Sequence, residues 1–212
     1  MLGMCRIVIT SVLGLLALLL AGCQGGTEAS RGFSPNSSYE GTSLDGPAPD
    51  FRLVDHKGTS MALSDFRGNV VVMAFLDPEC TDSCPLTANE FRLTSGALGA
   101  DAARVAFLAV NVNPKKNSVA DVAAATKKWG VQDLAGWHYL TGSREELTPI
   151  YPAYGILAEG PPKPDKPGEL EHSPGAYLID QAGKERWYIS TNFEGAPLLS
   201  VLLVKHVRQL LR

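Results

Sequence analysis

From Asp50 onward, short apolar runs alternate with segments whose apolar residues recur at helical spacing. Two runs, Val70 to Leu76 (VVVMAFL) and Ala103 to Val112 (ARVAFLAVNV), are rich in β-branched residues. Such runs predict central strands covered on both faces. Ahead of them, FRLVDHKGTSMALSDFRGN predicts two short strands around a turn at Lys57-Gly58, closed by a second turn at Arg67-Gly68. PLTANEFRLTSGAL predicts a helix with Pro85 in its first turn, and SVADVAAATKKWG a helix capped by Ser118 and stopped at Gly130. GWHYLTGSREELTPIYPAYGI predicts a short strand and then one helix from about Ser143. GAYLIDQAGKERWYIS predicts a hairpin around Gln181 to Gly183, and APLLSVLLVKHVRQLLR an amphipathic helix opened by Pro197.

The order β-α-β-α followed by β-β-α is that of a thioredoxin-like α/β fold, here with an N-terminal strand extension. The chain has 212 residues, enough for one domain with appendages. Its net charge of −3 and the lack of a basic stripe argue against nucleic acid as a partner. Trp129, Trp137 and Trp187 are expected to be packing residues, and Lys115 and Lys116 a solvated turn.

The N-terminus follows a different pattern. Arg6 precedes an uncharged apolar run from Ile7 to Leu20, short for a membrane span and suited to the h-region of a signal peptide. The run ends in Leu20-Ala21-Gly22-Cys23, which resembles the lipobox of bacterial lipoproteins. That resemblance implies a signal peptide over 1–22, lipidation of Cys23, and an extracytoplasmic bacterial lipoprotein anchored to the membrane. Residues 23–47 are rich in Gly, Ser and Pro, so a flexible tether is expected there, with the domain over 48–212.

Four cysteines are present: Cys5, Cys23, Cys80 and Cys84. With Cys5 in the signal and Cys23 lipidated, Cys80 and Cys84 carry the remaining thiol chemistry. They stand in FLDPECTDSCPLTANEF, at a strand-to-helix turn, where the positive end of a helix favours thiolate. A structural disulfide, a redox couple and half of a metal site all fit this pattern. Two thiolates and a neutral imidazole suit a soft or borderline metal, with Cu(I) and Cu(II) high on the list. Of the four histidines, His206 is expected on the surface of the last helix, His56 in a turn and His138 in a strand. His172 lies in the loop before the hairpin, which a thioredoxin-like topology places beside the cysteine turn.

Three ordered motifs resemble the SCO/SenC family of copper-handling proteins: CTDSCP, LTGSREEL and EHSPGAYLID. The resemblance runs from about Ala48 to Leu211. It implies that Cys80, Cys84 and His172 are copper ligands in a metallochaperone. The client it implies is the binuclear copper site of cytochrome c oxidase subunit II, with a thiol reductant as a further partner. Two departures stand out. Asp77-Pro78-Glu79 replaces the family's aromatic-rich turn before the first cysteine, and Asn113 to Asn117 (NPKKN) replaces an acidic motif after the second core strand. The alternative function is a thiol-disulfide oxidoreductase or peroxiredoxin-like reductase using Cys80 and Cys84 as its redox pair. The Pro-rich segment Gly160 to Gly168 predicts a loop that is mobile without metal, with His172 near the cysteines but not fixed against them.

Overall fold

The computed structural model describes residues 39–156, 175–190 and 198–212. Cys23, His172, Pro197, the apolar run of Ile7 to Leu20 and the Pro-rich loop lie outside the described residues. Among the described residues, no helix is long and apolar enough to cross a membrane.

The strands are β1 (Thr42–Pro47), β2 (Arg52–Asp55), β3 (Ser60–Ala62), β4 (Val70–Leu76), β5 (Val105–Asn111), β6 (Trp137–Thr141), β7 (Gly175–Ile179) and β8 (Lys184–Ser190). The helices are α1 (Ser83–Leu98), α2 (Val119–Lys128), α3 (Arg144–Leu147), α4 (Ile150–Ala153) and α5 (Leu199–Leu210). The strands form one sheet in the order β1-β8-β7-β4-β5-β6-β2-β3. β4, β5 and β6 run parallel, and the other pairings are antiparallel.

Every residue of β4 and β5 is buried, as the continuous apolar runs require. The period of two sorts their side chains between two cores. Val70, Val72, Ala74 and Leu76 join Cys80, Cys84, Ala88 and Phe91 under α1 and α5. Val71, Met73 and Phe75 join Leu147, Tyr151 and Tyr154 on the opposite face.

The sequence expectations needed three corrections. Thr42–Pro47 falls in the stretch assigned to the tether, yet it pairs as β1 along β8. The alignment runs from Thr42 to Tyr188, from Tyr188 to Tyr177 and from Tyr177 to Met73. The domain therefore begins earlier than 48. The single helix expected from Ser143 is two, α3 and α4, because Pro149 has no N–H to continue the ladder. His56 lies in the expected turn and is buried there. His206, expected on the surface, is 2% exposed, stacks on Trp187 at 4.1 Å and lies 2.8 Å from the Glu40 carbonyl oxygen. Lys116 lies in the expected solvated turn, where it pairs with Glu79 at 3.2 Å.

A buried polar knot joins the β2–β3 turn to β6. Asp55 Oδ1 accepts from the Lys57 and Thr59 N–H groups, and Asp55 Oδ2 lies 3.1 Å from His138 Nδ1. His56 Nδ1 accepts from the Tyr139 N–H at 3.2 Å. Burial pushes the Asp55 carboxyl up, but its bonds from Thr59, His138 and Lys57 outweigh this and hold it below the ordinary range. Burial lowers the His56 imidazole, which stays neutral.

Both groups bind protons more readily in the unfolded chain, so stability should fall as pH falls. The His56 contribution should begin to be lost below about pH 6.5, and the Asp55 contribution below about pH 3.9. Denaturant titrations across this range should show a shallower slope below pH 6.5 for His56→Ala. That variant should also lose about 1–3 kcal/mol at neutral pH, because the Tyr139 N–H is left without its acceptor.

Candidate metal centre

The centre is built where β4 runs out. Its last carbonyl, that of Leu76, accepts from the Val112 N–H at 3.1 Å and from the Tyr139 hydroxyl at 2.9 Å. The chain then turns sharply. The Cys80 N–H donates to the Asp77 carbonyl at 3.1 Å, while Asp77 Oδ1 accepts from the Glu79 N–H at 2.9 Å. An Asx turn of this kind suits Asp followed by Pro. Asp82 then caps α1 by accepting from the Ser83 N–H.

The turn brings Cys80 and Cys84 together as thiols. Each sulfur accepts a backbone N–H: Cys80 Sγ that of Cys84 at 3.3 Å, and Cys84 Sγ that of Asp77 at 3.4 Å. The Cys80 thiol donates to Asp82 Oδ1 at 3.2 Å. Both cysteines are buried, Cys84 fully.

The Cys84 thiol is held well above its usual range. Its hydrogen bond with the Cys80 sulfur is the main cause, burial adds to it, and the Asp77 N–H works in the opposite direction. Tyr139 forms part of the floor and stacks on Trp129 at 5.4 Å. Burial, then the charges of Cys84 and Asp77, push its phenol up, so it remains a hydroxyl donor.

Asn113, just past β5, supports the turn from the side. Its Nδ2 donates to Asp77 Oδ1 at 3.0 Å. Asn113 is itself held by Asn111 Oδ1, which accepts its backbone N–H at 2.8 Å. Beside the turn lies an open cleft of about 160 Å³, lined by Pro78, Glu79, Lys116, Asp121 and Lys128.

Among the described residues, no three His, Cys, Asp or Glu side chains are grouped to hold a metal. The structure brings together two of the sequence-predicted site residues, Cys80 and Cys84. Sequence reasoning marked Asp77 and Asn113 only as departures from the family pattern, did not join them, and missed Tyr139. The available signal was a lone Asp directly after a wholly apolar strand, since a carboxylate there must find donors.

The SCO1/SenC family model matches residues 41–203. The chain belongs to the SCO1/SenC family. It is 28% identical over 163 residues to the mitochondrial protein SCO2 homolog of Mus musculus, a match covering 76% of this chain and 60% of that protein. The chain thus spans less than two thirds of that relative. A SCO1/SenC family lipoprotein from Bacillus anthracis aligns over 83% of this chain and all of its own, with TM-score 0.64 and 23% identity. Yeast Sco1 with copper bound aligns over 79% of this chain and 90% of its own, with TM-score 0.62 and 23% identity. These structures share the thioredoxin-like fold with this SCO1/SenC domain.

Because its pKa is raised, the Cys84 thiol should carry less thiolate at pH 8 than an ordinary cysteine. Iodoacetamide should label it at least about tenfold more slowly in the folded protein than in urea, as read by peptide mass spectrometry.

Proposed function

We propose that this protein is a copper chaperone that holds copper through Cys80 Sγ, Cys84 Sγ and the His172 imidazole. Its client is the binuclear copper site of cytochrome c oxidase subunit II. The observation that carries the proposal is the pairing of two sulfurs at one strand-to-helix turn, each accepting a backbone N–H. Two soft donors on a rigid turn match a copper cargo. Family membership and the copper held by yeast Sco1 support the same reading.

The register of β7 supports His172 as the third ligand. Ala176 pairs with Ala74, which carries Gly175 to the level of Phe75, beside the end of β4. His172 is three residues before Gly175, within about 11 Å of extended chain. In this proposal copper draws His172 to the pair, at some cost in affinity.

The proposal includes a signal peptide over 1–22, a lipid on Cys23 and a tether to the bacterial membrane that ends before β1. The SCO1/SenC lipoprotein from Bacillus anthracis supports this part. Replacing Cys23 with Ser should release the domain from the membrane fraction or leave the signal uncleaved. Identical processing to a soluble form in both versions would rule out the lipid anchor.

Anaerobic titration of the reduced protein should give one copper per chain. Cys80→Ser and Cys84→Ser should each weaken binding beyond the 10–100-fold that loss of an outer-shell partner costs. His172→Ala should weaken Cu(II) more than Cu(I), since two thiolates alone can hold Cu(I). Equal copper binding by wild type and the double serine variant would end the chaperone proposal.

The hydrogen bond shared by Cys80 and Cys84 favours one second reading, a dithiol that reduces disulfides on a partner. Rapid reduction of a defined disulfide substrate by the metal-free protein, without copper binding, would select it.

A further inference from the structure

Two helices leave an apolar row uncovered. Among the described residues, the large apolar side chains that stay exposed are Leu86, Leu93, Leu198 and Val201. All four belong to α1 or to the N-terminal end of α5. The helices pack side by side and run in the same direction, since Glu90 Oε2 accepts the Ser200 N–H at 2.6 Å and Arg208 donates to the Ala97 carbonyl at 2.9 Å. Helical spacing puts Leu86, Glu90, Leu93 and Ala97 on one face of α1, and Leu198, Val201, Lys205 and Arg208 on one face of α5. The two rows are neighbours. Leu86 and Leu198, 67% and 64% exposed, stand at the end nearest the cysteine turn. Single exposed leucines need no explanation, whereas a row shared by two adjacent helices marks a contact surface.

Charge narrows what the surface meets. α1 and α5 carry Arg92, Lys205 and Arg208 against one acid, Glu90, in a chain whose net charge is −3. Arg92 and Arg208 donate to neutral oxygens, those of Asn89 and Ala97, so these bonds leave the guanidinium charge in place. Leucine and valine with lysine and arginine along one helix face suit the boundary of headgroups and acyl chains in an anionic bilayer, where the long basic side chains reach the phosphates.

The start of the described chain favours a bilayer over an acidic protein. Glu40, ahead of β1, lies on α5: its carboxylate pairs with Lys205 Nζ at 2.6 Å, and its carbonyl oxygen is 2.8 Å from His206 Nε2. A lipid on Cys23 stands 16 residues before Tyr39 (39 − 23 = 16), which is at most about 55 Å of extended chain. The anchor therefore keeps the bilayer within reach of this same helix, and a weak contact then suffices.

We propose that the α1–α5 face is a docking surface for an anionic lipid bilayer, which lays the domain on the membrane with the cysteine turn at the rim of the contact. The inference rests on the lipid anchor proposed above and is independent of copper.

The full chain, purified from the membranes of its expression host, is reconstituted into phosphatidylglycerol/phosphatidylcholine vesicles that carry a photoactivatable lipid, and labelled peptides are identified by mass spectrometry. Peptides from α1 and α5 should be labelled at least about tenfold more than those from α4 on the opposite face. Leu86→Ser/Val201→Ser should lower the α1 and α5 labelling about tenfold, since binding follows the apolar area buried, and should leave the copper titration unchanged. Arg208→Glu, vesicles of phosphatidylcholine alone, and about 0.5 M salt should each lower it as well. Equal labelling of both faces, or labelling confined to residues before Tyr39, overturns the inference and leaves the anchor standing. Photoproducts that join α1 or α5 to a second copy in place of lipid assign the face to self-association and overturn it too. A chain recovered soluble and without lipid sinks the anchor reading. Flotation with the same vesicles then decides the face: wild type should float and Leu86→Ser/Val201→Ser should not, and a wild type that stays in solution overturns the inference.

Discussion

The main constraint on this molecule is that β4 is buried on both faces and must still end. A strand in that position cannot leave its last polar groups bare. The Leu76 carbonyl is met by one backbone N–H from beyond β5 and one hydroxyl from β6. These bonds fix the ends of three adjacent parallel strands relative to one another. The cysteine turn starts one residue later, so its geometry is inherited from the sheet. A reactive pair on such a base loses little entropy when it takes up a ligand, because its backbone is already ordered.

The surroundings of the pair are polar in a particular way. Backbone N–H groups point at both sulfurs, and the start of α1 adds its positive end. These favour negative charge on sulfur. The hydrogen bond between the two cysteine side chains, then burial, then the charges of Cys80 and Asp77 oppose it, and in Cys84 the opposition prevails. The dithiol is therefore quiet until something more strongly attracting than a proton arrives. A metal ion qualifies, and its binding must release protons. Metal uptake and acidity are linked by this balance.

Much of this was legible in the sequence. The two all-apolar strands, the Ser118 cap, the Gly130 stop and the β7–β8 hairpin follow from local patterning, and the structure has them. Cys80 and Cys84 were legible because spacing and a strand-to-helix turn are local properties. β1 was not, because Thr42–Pro47 is polar, contains Gly46 and Pro47, and becomes a strand by pairing with residues some 140 positions away. His206 was misplaced for a related reason. Its helix face is covered by Trp187 and Glu40, which come from distant parts of the chain. The Asp77–Asn113 contact joins residues 36 apart and cannot be found from either segment alone. His172, picked out by topology and by its motif, lies outside the described residues.

The register of β1 has a mechanical consequence. Thr42 stands level with Met73 across three strand spacings, and the Tyr39 hydroxyl accepts from the Ser190 N–H beyond the end of β1. The described chain therefore enters the sheet near the edge where the cysteine turn sits, offset sideways by about 14 Å. Any force applied through the N-terminus acts at that edge and gives little leverage to swing the opposite edge forward. A leash attached there turns the sulfurs toward whatever holds its other end.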